Sequence, residues 1–126
     1  MRLLLDSHVA VWILKDSARL GARARRSIAD ADEAFFSSAT PWELSIKQNL
    51  GKSDIGIGLA VQLTSDGFKE LPITAAHGEA AGALPLHHRD PFDRVIIAQA
   101  RMERLIVVTS DASFGLYDVD LLDASN

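Results

Sequence analysis

Short apolar runs alternate along the chain with longer segments in which apolar residues recur every three or four positions. A run that ends at Leu5 predicts a buried strand over 2–5, because continuous apolar residues suit a strand covered on both faces. The next segment predicts a helix capped by Ser7 and ending near Lys15. The same patterns predict further strands at 34–36, 71–73, 105–108 and about 118–121, and further helices at 22–31, 41–50, 59–67, 75–83 and 91–104.

The alternation of strands and helices predicts an α/β fold. Strands separated by helices form parallel pairs with right-handed crossovers, so that helices cover both faces of the sheet. Pro72 lacks the backbone donor that a central strand needs, so the third strand is expected at an edge. We therefore expect a single domain over residues 1–126, a three-layer α/β/α sandwich with a mainly parallel five-stranded sheet.

Two helices are predicted to begin at the same kind of sequence, a polar residue followed by proline, an aromatic residue and an acid. The first of these, TPWE, predicts Thr40 as the helix cap and Glu43 as its partner in a capping box. The second, DPFD, predicts Asp90 as the cap of a strongly apolar helix.

Four acidic residues are expected at one edge of this sheet. Asp6 and Asp111 follow predicted strands, and Glu43 and Asp93 lie in the first turns of helices that begin on the same edge. This edge forms the ligand crevice of open parallel sheets. Each acid taken alone has an alternative role as a cap or capping-box residue. Independent caps need not gather on one edge, however, and no lysine is expected beside them, so the set predicts a cluster.

A cluster of carboxylates predicts a bound cation, because like charges at short range raise one another's pKa values. Oxygen ligands without cysteine or patterned histidines favour Mg²⁺ or Mn²⁺ over Zn²⁺. Such a cation holds phosphate oxygens and activates water, which indicates phosphodiester chemistry.

His8 and the pair at 87–88 lack the spacing of a zinc site, and the pair is expected in an exposed loop. Trp12 and Trp42 are expected in the core.

Composition narrows the class of protein. A net charge of −4 argues against a protein that coats nucleic acid non-specifically, although arginines cluster locally within 19–26 and 89–104. The absence of cysteine suits a reducing cytoplasm. No signal peptide is recognisable, and no apolar run approaches the roughly 20 residues needed to span a bilayer. We therefore expect a cytoplasmic protein without a membrane partner.

Four segments together resemble the PIN-domain ribonucleases, and specifically the VapC toxins of prokaryotic toxin–antitoxin pairs. They are LLLDSHVAVW at the start, TPWELSIK in the middle, HHRDPFDRVIIAQA later and VVTSD near the end. Each segment alone is a weak signal, but their order and spacing cover nearly the whole chain.

This resemblance implies roles for particular residues. It assigns the family's acidic site to Asp6, Glu43, Asp93 and Asp111, which would hold one or two Mg²⁺ or Mn²⁺ ions and cleave RNA. Asp90 would act first as a helix cap and then, like Thr109 or Ser110, as support behind the metal ligands. The resemblance also implies a toxin homodimer and a cognate antitoxin that fills a groove near the site.

Two other classes fit parts of the pattern. One is a PIN nuclease that works in RNA processing or DNA repair, outside toxin–antitoxin biology. The other is a receiver-like signalling domain with a magnesium-binding acidic pocket. A receiver-like domain needs an acid after its third strand and a lysine after its fifth, whereas this chain has Ile73 and Thr74 after the third predicted strand and no lysine beyond Lys69.

Overall fold

The computed structural model describes residues 1–126, which form five strands, six α-helices and one 3₁₀ segment. All strand pairs are parallel, and the strand order is β3-β2-β1-β4-β5. No helix combines the length and apolar character needed to cross a bilayer. The elements are β1 (Arg2–Leu5), α1 (Ser7–Leu14), α2 (Ala22–Asp30), β2 (Glu33–Ser37), α3 (Ala39–Asn49), α4 (Leu59–Ser65), β3 (Lys69–Leu71), α5 (Ala75–Ala83), α6 (Pro91–Glu103), β4 (Ile106–Thr109), the 3₁₀ segment (Ala112–Leu116) and β5 (Leu121–Asp123).

The apolar run of β1 lies at the centre of the sheet and is buried on both faces. Leu4 packs into one layer with α5 and α6, while Leu3 and Leu5 pack into the other with α1 and α2. Successive residues of a strand point to opposite faces, so a continuous apolar run supplies both layers. The predicted three-layer sandwich is confirmed.

The two edge strands differ most from their predicted bounds. β3 is Lys69–Leu71, two residues earlier than predicted, because Pro72 cannot donate to the ladder. It lies at an edge, as predicted. β5 is Leu121–Asp123, and its two end residues are exposed, so the apolar pattern marked this strand poorly.

The predicted starts of two helices were wrong. α3 begins at Ala39 instead of after Thr40, and its cap residue Ser38 makes no side-chain capping bond. The hydroxyls of Thr40 and Ser7 lie 3.0 Å apart in the interior, where they bond to each other and not to helix ends. Asp6, and not Ser7, caps α1. A contact between distant segments has thus replaced two local caps.

The prediction for the tryptophans was half wrong. Trp12 is partly buried against the layer that contains α1 and α2. Trp42 is 61% exposed, and its ring meets the edge of Phe92 with the ring centres 4.9 Å apart. This pair joins α3 to α6 at the surface.

Candidate active site

The acids gather where the strand order changes direction. From β1 the chain builds the sheet outward through β2 and β3, and then returns to β4 on the other side of β1. The carboxyl ends of β1 and β4 therefore flank the crevice at which open parallel sheets bind ligands. Asp6 directly follows β1, and Asp111 lies two residues beyond β4.

Asp6 has two hydrogen-bonding roles at this crevice. It is 2% exposed, and its Oδ1 accepts a bond from the backbone N–H of His8 at 2.6 Å, which caps α1. Its Oδ2 accepts a short bond from the hydroxyl of Thr109. The Thr109 hydroxyl in turn accepts a bond from the backbone N–H of Asp111 at 3.0 Å. The neighbouring Ser110, the other candidate for a supporting role, is exposed. Thr109 therefore links the two acids that follow the strands.

Glu43 is buried inside α3 and takes no part in a capping box, contrary to the prediction. Its Oε2 lies 2.9 Å from Nζ of Lys47, one turn later in the helix. The expectation that no lysine stands beside the acids was therefore wrong. Oε1 of Glu43 is buried and has no hydrogen-bond partner. One carboxylate oxygen thus remains free for another positively charged group.

Asp93 lies in the first turn of α6, one turn after Asp90. Oδ1 of Asp90 accepts bonds from the backbone N–H groups of Phe92 and Asp93, at 2.8 and 3.4 Å, so Asp90 is the cap, as predicted. Burial raises the pKa of Asp93 to about 7, together with the negative charges of Asp90, Asp6 and Glu43. The raised pKa of Asp93 therefore reflects its burial first and the negative charge of these acids second.

Asp111 caps the 3₁₀ segment and is the most exposed of the four acids. Its side chain is 42% exposed, and its Oδ1 accepts both the backbone N–H and the hydroxyl of Ser113, at 2.9 and 2.7 Å. Burial acts to raise the pKa of Asp111, but the bonds from Ser113 and the nearby histidines His88 and His8 together lower it.

His88 lies among the acids, although the sequence pattern predicted it in an exposed loop. Its side chain is 20% exposed, with Nε2 lying 2.7 Å from Oδ2 of Asp93 and 3.8 Å from Oδ2 of Asp111. His87 is exposed and packs against the ring of Tyr117, so only half of the predicted exposed pair is correct. The available sequence signal was the position of His88, two residues before the cap of α6.

His8, the remaining histidine near the site, is mostly exposed. Its Nδ1 lies 3.6 Å from Oδ1 of Asp6, and its side chain is 67% exposed. The hydrogen bond with Asp6 raises the pKa of His8 against the opposing effect of burial.

The site fits a divalent cation. His88, Asp93 and Asp111 offer one ligand atom each within 4.8 Å of one another. A buried oxygen of Glu43 has no partner, and the raised pKa of Asp93 reflects buried negative charge that is not balanced. A cation among these groups would relieve both conditions. Their oxygen atoms are ligands that hard divalent cations prefer.

A groove with basic side chains begins beside Glu43 and Asp90. It has a volume of about 470 Å³. Three basic residues contribute to its walls, Lys47, Lys52 and Arg89. The groove thus combines positive charge with access to the acids, although the whole chain is acidic.

Comparisons with known proteins place this arrangement in a family. The sequence matches the PIN domain family over residues 3–120. It is 32% identical over 111 residues to ribonuclease VapC22 of Mycobacterium tuberculosis, which covers 86% of this chain and 85% of that protein.

Solved structures share the fold at lower sequence identity. The chain resembles VapBC2 from Rickettsia felis, bound to a promoter DNA fragment, with a TM-score of 0.71 and 17% identity over 97% of this chain and 98% of that one. It resembles DNA-bound VapBC from Salmonella typhimurium with a TM-score of 0.71 and 17% identity over 98% of both chains. FitAcB from Neisseria gonorrhoeae gives a TM-score of 0.67 and 19% identity over 97% of both chains.

Proposed function

This chain belongs to the PIN-domain family, and we propose that it is a metal-dependent endoribonuclease, the toxin of a toxin–antitoxin pair. The observation that carries the proposal is the convergence of buried carboxylates on one crevice, with Asp93 held near a pKa of about 7 by burial and neighbouring acids. The relationship to ribonuclease VapC22 supports RNA as the substrate. A cytoplasmic location is part of the proposal, because a nuclease of this kind meets cellular RNA in the cytoplasm.

We assign the cation to Asp6, Glu43, Asp93 and Asp111, as Mg²⁺ or Mn²⁺. When bound, such a cation lowers the pKa of water and stabilises charge on the leaving oxygen of a phosphodiester. The protein orients the ligands. Thr109 fixes Asp6, Lys47 holds one oxygen of Glu43 and leaves the other free, and Asp90 fixes the helix start that carries Asp93.

The basic groove is the proposed path of the RNA backbone. Lys47, Lys52 and Arg89 would contact phosphates, since such contacts supply most sequence-independent affinity for nucleic acid. The groove shares Glu43 with the acid cluster, so a strand lying in it would bring a phosphodiester to the crevice.

Cleavage of total RNA with mapped ends tests this proposal. The purified protein should cut RNA in Mg²⁺ or Mn²⁺ but not in EDTA. Attack by water, and not by the ribose 2′-hydroxyl, should leave no 2′,3′-cyclic phosphate. Glu43→Gln keeps the size of the side chain but removes its charge, so it should suppress cleavage. Cleavage that persists in EDTA, or that equals the parent in Glu43→Gln, would refute the metal site.

An exposed apolar stripe along α3 and its C-terminal cap residue Leu50 is the proposed contact for the antitoxin. Trp42, Ile46 and Leu50 follow one another at four-residue spacing and are 61%, 39% and 60% exposed. Contiguous exposed apolar surface marks interaction sites. Ile46 and Leu50 also line the basic groove, so a protein bound there would exclude RNA from it.

The antitoxin assignment is tested with the product of the gene next to this one. That protein should inhibit cleavage by the parent, and Trp42→Ala, at an exposed position outside the basic groove, should weaken the inhibition. If no neighbouring gene product inhibits cleavage, the chain is a PIN nuclease outside toxin–antitoxin biology.

A homodimer is also proposed, through a second groove between α5, α6 and the 3₁₀ segment. This groove has a volume of about 740 Å³, and seven of its ten lining residues are apolar. Met102 and Leu116 line it and are 46% and 59% exposed. Light scattering should give a dimeric mass for the parent and a monomeric mass for Leu116→Asp; a monomeric parent would refute the dimer.

A further inference from the structure

We propose that His88 is a direct nitrogen ligand of the cation and that it shifts the site's preference from Mg²⁺ toward Mn²⁺. The proposal rests on the metal site of the proposed function. It adds a residue that the acidic pattern does not include, and a selectivity that four carboxylates alone would not provide.

The contact between His88 and Asp93 is close but is not a hydrogen bond. Nε2 of His88 is buried and lies 2.7 Å from Oδ2 of Asp93, yet it makes no hydrogen bond. The ring therefore does not direct Nε2 at that oxygen, since hydrogen bonds weaken steeply away from a linear arrangement. Two ligand atoms bound side by side to one cation also lie close together without a hydrogen bond between them. Each points at the ion and not at the other ligand.

The third group completes a cradle for an ion. Oδ2 of Asp111 lies 3.8 Å from the same nitrogen, and one ligand atom from each of the three residues falls within 4.8 Å of the others. Nitrogen and oxygen ligands lie about 2.0–2.2 Å from a cation. Two ligands of one cation are therefore separated by roughly the distances found among these three residues. The buried oxygen of Glu43 is a second, independent sign of a missing positive group, because its side chain is 5% exposed and Oε1 has no partner.

His88 is held rigidly even though it lies between two helices. The backbone N–H of His88 donates to the hydroxyl of Tyr117 at 2.8 Å, and that hydroxyl donates to the carbonyl of Pro85 at 2.7 Å. The buried guanidinium of Arg94 donates to the carbonyls of Pro85 and His88, at 3.0 and 3.2 Å. These bonds fix the segment before α6 from both sides, and a ligand must be fixed in this way to be preorganised.

One contact opposes ligation by Nε2. Nδ1 of His88 lies 3.4 Å from the backbone N–H of Asp90, which donates to it. Ligation through Nε2 requires the ring proton on Nδ1, so this bond must be lost when the ion binds. At 3.4 Å the bond is longer than the usual 2.7–3.2 Å range and is correspondingly weak.

A nitrogen ligand has a consequence for metal choice. Imidazole is a ligand of transition metals, and Mn²⁺, although it binds most weakly in the first-row series, accepts a nitrogen ligand more readily than Mg²⁺, which is bound through oxygen. The parent should therefore bind Mn²⁺ more tightly than Mg²⁺, and His88→Ala should lose more affinity for Mn²⁺ than for Mg²⁺. The expected loss for Mn²⁺ is at least about tenfold, the lower bound seen even for residues that only support a ligand.

The test is pulsed electron paramagnetic resonance of the RNA-free protein loaded with Mn²⁺, together with calorimetric titration of both metals. The parent spectrum should contain the nuclear modulation of a directly bound ¹⁴N. His88→Ala should lose it, whereas His87→Ala and His8→Ala should keep it. His87 is the matched control because it is adjacent and exposed, and His8 is the other histidine near the acids.

The remaining outcomes separate the two claims. If the parent binds Mn²⁺ without nitrogen modulation, or if His8→Ala removes the modulation, His88 is not the ligand and the proposed nuclease site stands. Tighter Mn²⁺ binding by His88→Ala would make His88 a charge that competes with the ion, which also overturns the inference. If the parent binds neither metal, the metal site of the proposed function fails, and this inference fails with it.

Discussion

At the scale of single residues, Asp93 shows how the fold creates reactivity. Burial and the charges of Asp90, Asp6 and Glu43 raise its pKa to about 7, so in the absence of a cation it exchanges a proton near neutral pH. A cation competes with that proton for the same oxygens. Metal binding should therefore strengthen as the pH rises through neutrality.

The same shift makes stability depend on pH. The pKa of Asp93 is higher in the folded chain than in the unfolded one, so its ionised form destabilises the fold. This destabilisation is absent below the pKa of the unfolded chain, grows as the pH rises from there to about 7, and stays constant above it. Without metal, the parent should lose on the order of 2 kcal/mol more stability than Asp93→Asn between pH 5 and pH 8. Denaturant unfolding at both values is the measurement, and equal losses would contradict it.

Individual residues differ in how far the sequence specifies them. Asp6, Asp93 and Asp111 lie where the strand and helix pattern placed them, because each follows from one local boundary. His88 was missed because its place depends on contacts with Arg94 and Tyr117, which are distant in sequence or across a helix end. Thr40 was misread for the same reason, since its partner is Ser7.

At the scale of elements, the start of α6 separates stability from chemistry. Asp90 caps the helix with bonds to two backbone N–H groups, so Asp90→Ala should cost about 1 kcal/mol of unfolding free energy. Its cleavage rate should fall only modestly, because Asp90 is not assigned to the metal. Asp93→Asn should show the reverse pattern. Unfolding and single-turnover cleavage of both variants test this, and a catalytically dead Asp90→Ala would reverse the assignment.

The segment between α5 and α6 depends on one hydroxyl. Tyr117→Phe keeps the ring that packs against His87 but leaves the His88 N–H and the Pro85 carbonyl without this partner. The loss should cost about 1–3 kcal/mol of unfolding free energy. Because His88 is then less well fixed, Mn²⁺ affinity should also fall. Unchanged Mn²⁺ affinity in a destabilised variant would mean that this segment supports the fold alone.

Element boundaries were predictable only where local signals dominate. Asp90 and Pro91 mark the start of α6, and Thr74 marks that of α5, where its hydroxyl accepts the N–H of His77. The predicted bounds of the edge strand β3 were two residues too late. Pro72 explains where the strand ends, but its start has no apolar pattern because its residues are largely exposed.

At the scale of the whole molecule, the basic side chains of the groove are opposite in sign to the net charge of the chain. The chain carries −4 overall, yet Lys47, Lys52 and Arg89 line the groove beside the acids. RNA binding should therefore depend on this groove and on salt. Arg89→Ala should lower the slope of log affinity against log salt by roughly 0.7, the value for one contact with a single strand.

Fluorescence anisotropy with metal-free protein measures that slope without cleavage. Arg23→Ala, at an exposed position on α2, is the control and should leave the slope unchanged. Equal slopes for Arg89→Ala and the parent would place the RNA elsewhere.

The sheet order was the part of the whole fold that the sequence specified only indirectly. Alternating strands and helices predicted parallel pairing and one shared edge, and the order β3-β2-β1-β4-β5 sets the ends of β1 and β4 side by side there. No local pattern encodes which strand is central. Burial of β1 on both faces was the indirect signal.

The most direct measurement of the central claim is single-turnover cleavage of a mapped RNA by the parent, Asp93→Asn and Asp118→Asn across a Mn²⁺ titration. Asp118 is an exposed acid that lies outside the cluster and serves as the control. The parent and Asp118→Asn should cleave with the same dependence on Mn²⁺, and Asp93→Asn should remain folded and inactive at every concentration. Parent-like cleavage by Asp93→Asn would contradict the assignment of RNA hydrolysis to this acidic site.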